Sequence, residues 1–193
     1  MTLDLMSTTF TPAEAVAAGA SRHAVYSWRN AGQIVEISRG VYRKADAPTT
    51  AYLDLIAVAK RAPRGVVCLV SALAVHELTD EIPAAVQMAV PNTVNVPHVA
   101  YPPTEFSRFD ARTFDLGRTR FEAASGEWVP VYSPERAVAD AMRLRHRVGD
   151  QVALRALRAY LSRRDASPAS LAELARRLGD AADLIRAVQV VLS

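Results

Sequence analysis

The residues of this 193-residue chain whose types and spacing can do chemistry fall into two groups. The first is Ser21, Arg22, His23, Tyr26, Arg29 and Asn30, followed at close range by Arg39, Arg43 and Lys44. Guanidinium, amide and imidazole groups can meet base edges, and the same cations with a serine hydroxyl or a phenol can meet phosphates. The second group lies far along the chain: Arg136, Arg143, Arg147, Arg155 and Arg158. Arginine presents paired donors to a carboxylate or phosphate in a geometry lysine cannot reproduce.

Strong local punctuation positions the first group. Thr11 reads as an N-cap with Pro12 at the first helical position and Glu14 three residues after the cap, so a helix should run to about Ala18. Gly19-Ala20 turns the chain and Ser21 caps a second helix. Ala24, Val25, Trp28 and Ala31 recur there at helical spacing, while Arg22, His23, Arg29 and Asn30 lie largely off that stripe. Gln33 to Ile37 alternates, and Ser38-Arg39-Gly40 reverses it into Val41-Tyr42-Arg43, with Arg39 at the hairpin tip. Helix, turn, helix and hairpin is the layout of a winged helix-turn-helix. It is expected to set its second helix in a major groove and Arg39, Arg43 and Lys44 beside the backbone. Units of this layout also serve as protein-docking modules. Residues 1 to 50 carry five cations against four anions, so a lone copy should bind DNA weakly and two or more copies on a repeated site are expected to be needed. Before Thr11, Met1 to Met6 can supply one turn of helix at most.

The remainder divides at Ala45-Asp46-Ala47-Pro48-Thr49, giving an expected winged module at 1–48 and a second domain at 49–193. In the second domain a helix is expected over Thr50 to Arg61, a buried strand over Val66 to Val70, and a helix from Ala72 to Leu78 capped by Ser71. Strands are expected at Ala85 to Val90, Val94 to Tyr101, Arg112 to Leu116, Thr119 to Ala123 and Trp128 to Tyr132. From Ser133 the period turns helical: Pro134 to about Arg147, Asp150 to about Arg163, Ser167-Pro168 to Leu178-Gly179, and a last helix from Asp180 bearing Leu184, Ile185, Val188 and Val191. Mixed strands and helices at 49–132 thus give way to a helical bundle at 133–193, an α/β (α+β) class overall.

Charge is uneven although the whole chain is only +3. Residues 51 to 133 carry a surplus of two anions and residues 134 to 193 a surplus of four cations, all arginine. Helical spacing sets Arg136, Arg143 and Arg147 on one face with Asp140 between them, and Arg155 and Arg158 extend the basic character. Such a run is either a solvated face or a surface matched to an acidic partner.

No metal, cofactor or catalytic group is expected. The eight glycines are isolated, and His23, His76, His98 and His146 show no zinc spacing. Cys68 sits in a Val-Val-Cys-Leu-Val run and reads as a buried strand residue; a catalytic thiol is the alternative, with His76 lacking the companion groups that would activate it. Glu77, Asp80 and Glu81 can hold a divalent ion or mark a solvated helix exit. Without a signal segment or an apolar run of membrane-spanning length, a cytoplasmic protein is expected.

The segment AGASRHAVYSWRNAGQIVEISRGVYR resembles the amino-terminal winged domain of AbiEi-type antitoxins, with its "aG-s-r" helix start and a wing ending in "rGvYr". VVCLVSALAVHELTDEIPAAVQMAVP at 66–91 is similar to the opening of that family's antitoxin domain, and VYSPERAVADAMRLRHR at 131–147 resembles its "v-spERtl-D" helix. The resemblance implies an antitoxin that counteracts a nucleotidyltransferase toxin encoded beside it. It also implies repression of its own operon through inverted repeats, bound by the winged domain. Nucleotidyltransferases hold metal with paired carboxylates, so Arg136, Arg143, Arg147, Arg155 and Arg158 become expected toxin contacts. Two other readings stand beside this one: a stand-alone winged-helix repressor whose larger domain senses a ligand, and a metal-dependent nuclease-like enzyme.

Overall fold

The computed structural model describes residues 2–179 and 181–192. The chain divides into two compact units: residues 1–63 with 97–104 and 122–129, and residues 64–96 with 105–121 and 130–193.

In the first unit a single 3₁₀ turn, Leu3–Leu5, stands where one turn of helix was expected, followed by a two-residue strand β1 (Thr9–Phe10). Helix α1 (Pro12–Ala17) starts in a full capping box: Glu14 N–H donates to Thr11 Oγ1 at 3.2 Å and Thr11 N–H to Glu14 Oε2 at 2.7 Å. It ends at Gly19, which takes the left-handed conformation (φ 95°) so that its N–H reaches Val16 O and that of Ala20 reaches Ala15 O. That closure disposes of two orphan carbonyls at the helix end and requires a residue without a Cβ penalty. Helix α2 (Arg22–Asn30) follows, its Ser21 Oγ accepting from Ala24 N–H at 3.1 Å. Strands β2 (Ile34–Ser38) and β3 (Val41–Lys44) form the hairpin, with Val35 opposite Arg43 and a bulge between Glu36 and Ser38. The sheet order is β1-β3-β2, so the short strand that sequence patterning missed closes the free edge of β3. Met6, Phe10, Ala15, Ala20, Val25, Ile34 and Tyr42 form the core, with Trp28 edge-on to Phe10 at 6.3 Å. Helix α3 (Leu53–Arg61), within the expected span, packs on β2 and β3.

The second unit differs from expectation at its start. Strand β4 is only Val66–Val67, and helix α4 (Leu69–Val75) begins directly after Cys68. The cause lies 17 residues away: Cys68 N–H donates to Gln87 O and Val70 N–H to Gln87 Oε1, both at 2.9 Å. Gln87 thus caps the helix. Ser71, expected to do so, instead accepts from Gln87 N–H at 2.9 Å. Cys68 is fully buried, and burial pushes its thiol well above the ordinary range, so it packs rather than reacts. Strand β5 (Val86–Pro91) falls where predicted. The expected strand at Val94 to Tyr101 is absent; β6 lies instead at Thr104–Phe109, and Arg112 to Leu116 is a series of turns. Strands β7 (Arg118–Ala124) and β8 (Glu127–Tyr132) complete a sheet ordered β6-β5-β4-β8-β7, with β4 antiparallel to β5 and parallel to β8.

Helix α5 (Pro134–Arg143) is capped by Ser133 and stops short of Arg147; Leu144 breaks it, and α6 (Arg145–Val148) follows. Leu144 and Val148 pack against the buried cluster around Phe109, Phe114 and Tyr132, which redirects the chain after Arg143. Helices α7 (Asp150–Leu161), α8 (Pro168–Leu178) and α9 (Ala182–Leu192) come next, and α5 packs on α4, α7, α8 and α9. The expected helix opening at Asp180 lies outside the described residues. Ala137, Ala139 and Ala141 are buried along α5, small enough to let neighbours approach on several sides. His76, just after α4, bonds Tyr132 O through Nε2 at 2.7 Å. Its burial lowers the imidazole pKa in the folded chain, so the unfolded chain takes up a proton first as pH falls through about 6.5. Stability is therefore expected to be full above that pH and to decline on acidification toward pH 5. A series of thermal melts should show this, and His76→Gln should flatten the acid limb.

Candidate nucleic-acid interface and the fate of the arginines

The two faces of α2 are chemically opposite. Val25 is buried, and Ala24 and Trp28 are half-buried against the module core, whereas Arg22, His23, Tyr26, Arg29 and Asn30 are exposed. Ser21 is exposed at the helix start, its hydroxyl engaged as the cap. Tyr26 is 61% exposed and adds an aromatic ring to this face. Ser27 and Gln33 share this solvent side, although the sequence pattern did not single them out. Arg29 is tethered: its Nη2 lies 3.4 Å from Glu36 Oε2, and Glu36 Oε1 accepts from Gly40 N–H at 2.9 Å. One carboxylate therefore fixes the end of α2 to the wing turn, which carries Arg39 exposed at its tip.

Arg43 corrects the expectation placed on the wing. It is 5% exposed and points inward, donating to Thr9 Oγ1 at 2.9 Å, to Pro48 O at 3.0 Å and to the Glu127 carboxylate. A guanidinium buried and engaged in this way is not presented to a phosphate. Lys44 is half-buried and donates from Nζ to Asp4 O at 3.3 Å. Of the three wing cations, Arg39 alone is expected to be free for a backbone contact.

The C-terminal arginines do not form one solvated stripe either. Arg136 is fully buried, which removes it as a surface contact. Its Nε donates to Asp140 Oδ2 at 2.7 Å, and its Nη1 donates to Thr113 O and Leu116 O at 2.8 and 2.7 Å. The guanidinium carbon also stands 4.3 Å from the Tyr132 ring centroid. Tyr132 in turn donates from its hydroxyl to Phe114 O at 2.8 Å, and burial raises that phenol's pKa so that it keeps its proton. Gly117 completes the clasp. A Cβ there would fall 2.7 Å from Arg136 Cβ, at a φ of 69° that already excludes most side chains. Arg143 shares Asp140 through Oδ1 at 2.9 Å, and Arg147 donates to Ser107 Oγ at 3.1 Å. Arg155 and Arg158 are exposed on α7, with Arg155 paired to Glu81 at 3.0 Å. Arg143 and Arg147 thus join Arg136 around a single pocket, while Arg155 and Arg158 do not line it.

A polar helix face above a sealed apolar one, entered through a short turn and followed by a two-stranded wing, defines the first unit's N-terminal part as a winged helix-turn-helix. Residues 6–43 match the family described as transcriptional regulator, AbiEi antitoxin. That match covers the winged module alone, the segment whose "rGvYr" wing carried the resemblance. The fold as a whole is similar to the crystal structure of the RV2827C protein from Mycobacterium tuberculosis. That likeness has 16% identity and a TM-score of 0.53, covering 96% of this chain and 76% of that one. At this identity it is a likeness of fold alone, and it establishes the mixed α/β class. No curated protein matches the chain in sequence. Among the described residues no helix is long and apolar enough to cross a membrane.

Proposed function

We propose that this protein is the antitoxin of an AbiE-like system, neutralising a nucleotidyltransferase toxin by direct contact and repressing its own operon through the winged module. The observation that carries the DNA half is the exposed face of α2. Arg22, His23, Tyr26, Arg29 and Asn30 are presented together by a helix whose other face is locked into the core. What supports the regulatory reading further is that the family match falls on this module. Because the module has almost no net charge, two copies on inverted repeats supply the affinity that one lacks.

On the toxin side, the exposed cations are Arg147, Arg155 and Arg158. They are the members of the arginine group exposed toward an approaching acidic, carboxylate-bearing cleft, with Arg155 exchanging its Glu81 partner on contact, and interfacial charge of this kind raises the rate of encounter as well as specificity.

The DNA half is tested by titrating the full chain onto its own promoter fragment and onto a scrambled one at several salt concentrations. Preference for the promoter is expected. Arg22→Ala should weaken it by about 1–3 kcal/mol, the worth of a base-contacting arginine. Arg39→Ala should lower affinity for both fragments alike and reduce the salt slope by about one. Equal affinity of the unaltered chain for promoter and scrambled DNA sinks the regulatory reading.

A further inference from the structure

We propose that the second unit binds the oligophosphate group of a small anion in an arginine-lined pocket beside the end of α5. The inference stands whether or not the chain is an antitoxin, because it rests on this pocket alone. Arg108 and Arg112 come from β6 and the turn after it, Arg136 and Arg143 from α5, Arg147 from α6 and Arg177 from the last turn of α8. Four separate stretches of chain thus place six arginines around one cavity of about 540 Å³, Arg136 buried beneath its floor.

Their partners are too few. Asp110, in the wall, is held by Arg112 through hydrogen bonds of 2.8 to 3.3 Å. Asp140, fully buried, divides its two oxygens between Arg136 and Arg143. Two carboxylates against six guanidiniums leave a surplus of four positive charges among the described residues. Arg108 and Arg177 form no ion pair among those residues, and Arg147 reaches only a serine hydroxyl. Among the described residues, the carbonyl end of α8, at Leu178 and Gly179, and the Asp110 carboxylate are the negative elements lining the pocket. They do not offset the surplus.

Like charges gathered in a concave site repel one another, so the fold pays for this arrangement in stability, and a bound anion relieves it. A cavity with low-dielectric walls also concentrates the field on whatever enters. Planar forks select phosphate or carboxylate oxygens over halide. A single phosphate meets one or two of these forks, whereas a chain of phosphates meets several at once, and the volume lies within the range of about 300–1,000 Å³ typical of small-molecule sites. The floor is preorganised. Arg136 is clamped by two carbonyls and a carboxylate, and Arg143 packs over the Phe109 ring at 5.6 Å, so little side-chain entropy is lost there on binding.

The test is calorimetric titration and thermal melting of the full chain with inorganic phosphate, tripolyphosphate, ATP and GTP. The same titrations are run on Arg108→Ser/Arg177→Ser, two exposed positions, and on Arg155→Ser/Arg158→Ser as an off-pocket control. Saturable binding of one tripolyphosphate or nucleotide per chain is expected, tighter than phosphate and accompanied by a rise in Tm. The pocket variant should lose about tenfold or more in affinity, the control little. Equal affinity for tripolyphosphate and ATP identifies the phosphate chain as the whole determinant, and a preference for one nucleotide adds a base contact; both outcomes support the site. Should Arg108→Ser/Arg177→Ser melt early, Arg147→Ser alone provides the comparison. The proposal is overturned by absence of binding, by equal losses in pocket and control variants, or by pocket-dependent binding of RNA or DNA oligomers without any of the small anions.

Discussion

Arg136→Ala is expected to destabilise the chain by about 3–5 kcal/mol, a large part of the 5–15 kcal/mol typical of a folded domain. The side chain is fully buried, and its loss leaves Asp140, also fully buried, with Arg143 as its remaining ion-pair partner among the described residues. It also leaves the carbonyls of Thr113 and Leu116 without the donor that joins the turn before β7 to the first turn of α5. Most of the cost comes from a buried carboxylate left with one guanidinium where it had two, and from the two carbonyls left without their donor. Removing both charges, as Arg136→Met/Asp140→Leu, should therefore cost less than removing the arginine alone. Urea titrations followed by circular dichroism supply the comparison, with a shift in midpoint at unchanged m-value as the expected signature. A single-variant loss below about 1 kcal/mol contradicts the role assigned to this residue.

The second large effect is expected at Arg43→Ala, for a similar reason in the other unit. Arg43 joins Thr9, Pro48 and Glu127, tying β1, the segment after the wing, and the tip of the β7–β8 hairpin. With side-chain exposures of 6% and 11% the Arg43–Glu127 pair is well shielded, and breaking it from one side should cost about 3 kcal/mol. The variant would lose promoter binding as well, by loosening the wing rather than by deleting a phosphate contact. Measuring both properties separates the two causes. Arg39→Ala should weaken DNA binding with its melting temperature intact, whereas Arg43→Ala should lower the melting temperature before any DNA is added.

These two arginines also mark where the sequence stopped being readable. Elements whose start and stop signals are local were legible: Thr11, Ser21, Ser133 and Ser167 all cap the helices assigned to them, and Gly19 closes α1 as the turn required. Thus the helix-turn-helix and wing, and most of the helical end, follow from neighbours a few residues apart. What failed depends on distant partners. Helix α4 starts where Gln87 caps it, so Val66 to Val70 could not be told from a longer buried strand. A run such as Val94 to Tyr101 has strand-like composition, but the edge beside β5 is occupied by Thr104–Phe109. The exposed face of α2 could be read from its period, because Val25 and Trp28 mark the side that must be buried. Arg43 and Arg136 carry no such mark. An arginine is buried when carboxylates and carbonyls elsewhere are folded against it, and those partners lie up to 84 residues away. The arginine pocket was half visible for the same reason: the spacing on α5 gave Arg136 and Arg143, while Arg108, Arg112 and Arg177 join them only through the tertiary fold.

Co-expression of the intact chain with the product of the adjacent reading frame tests the central claim most directly, scoring growth and co-purification together. The account predicts that growth is restored and that the two proteins elute as one complex. Both effects should be weakened by Arg155→Glu/Arg158→Glu, a change confined to the exposed face of α7. Continued poisoning with no complex formed, under conditions where the chain is folded and abundant, would contradict it.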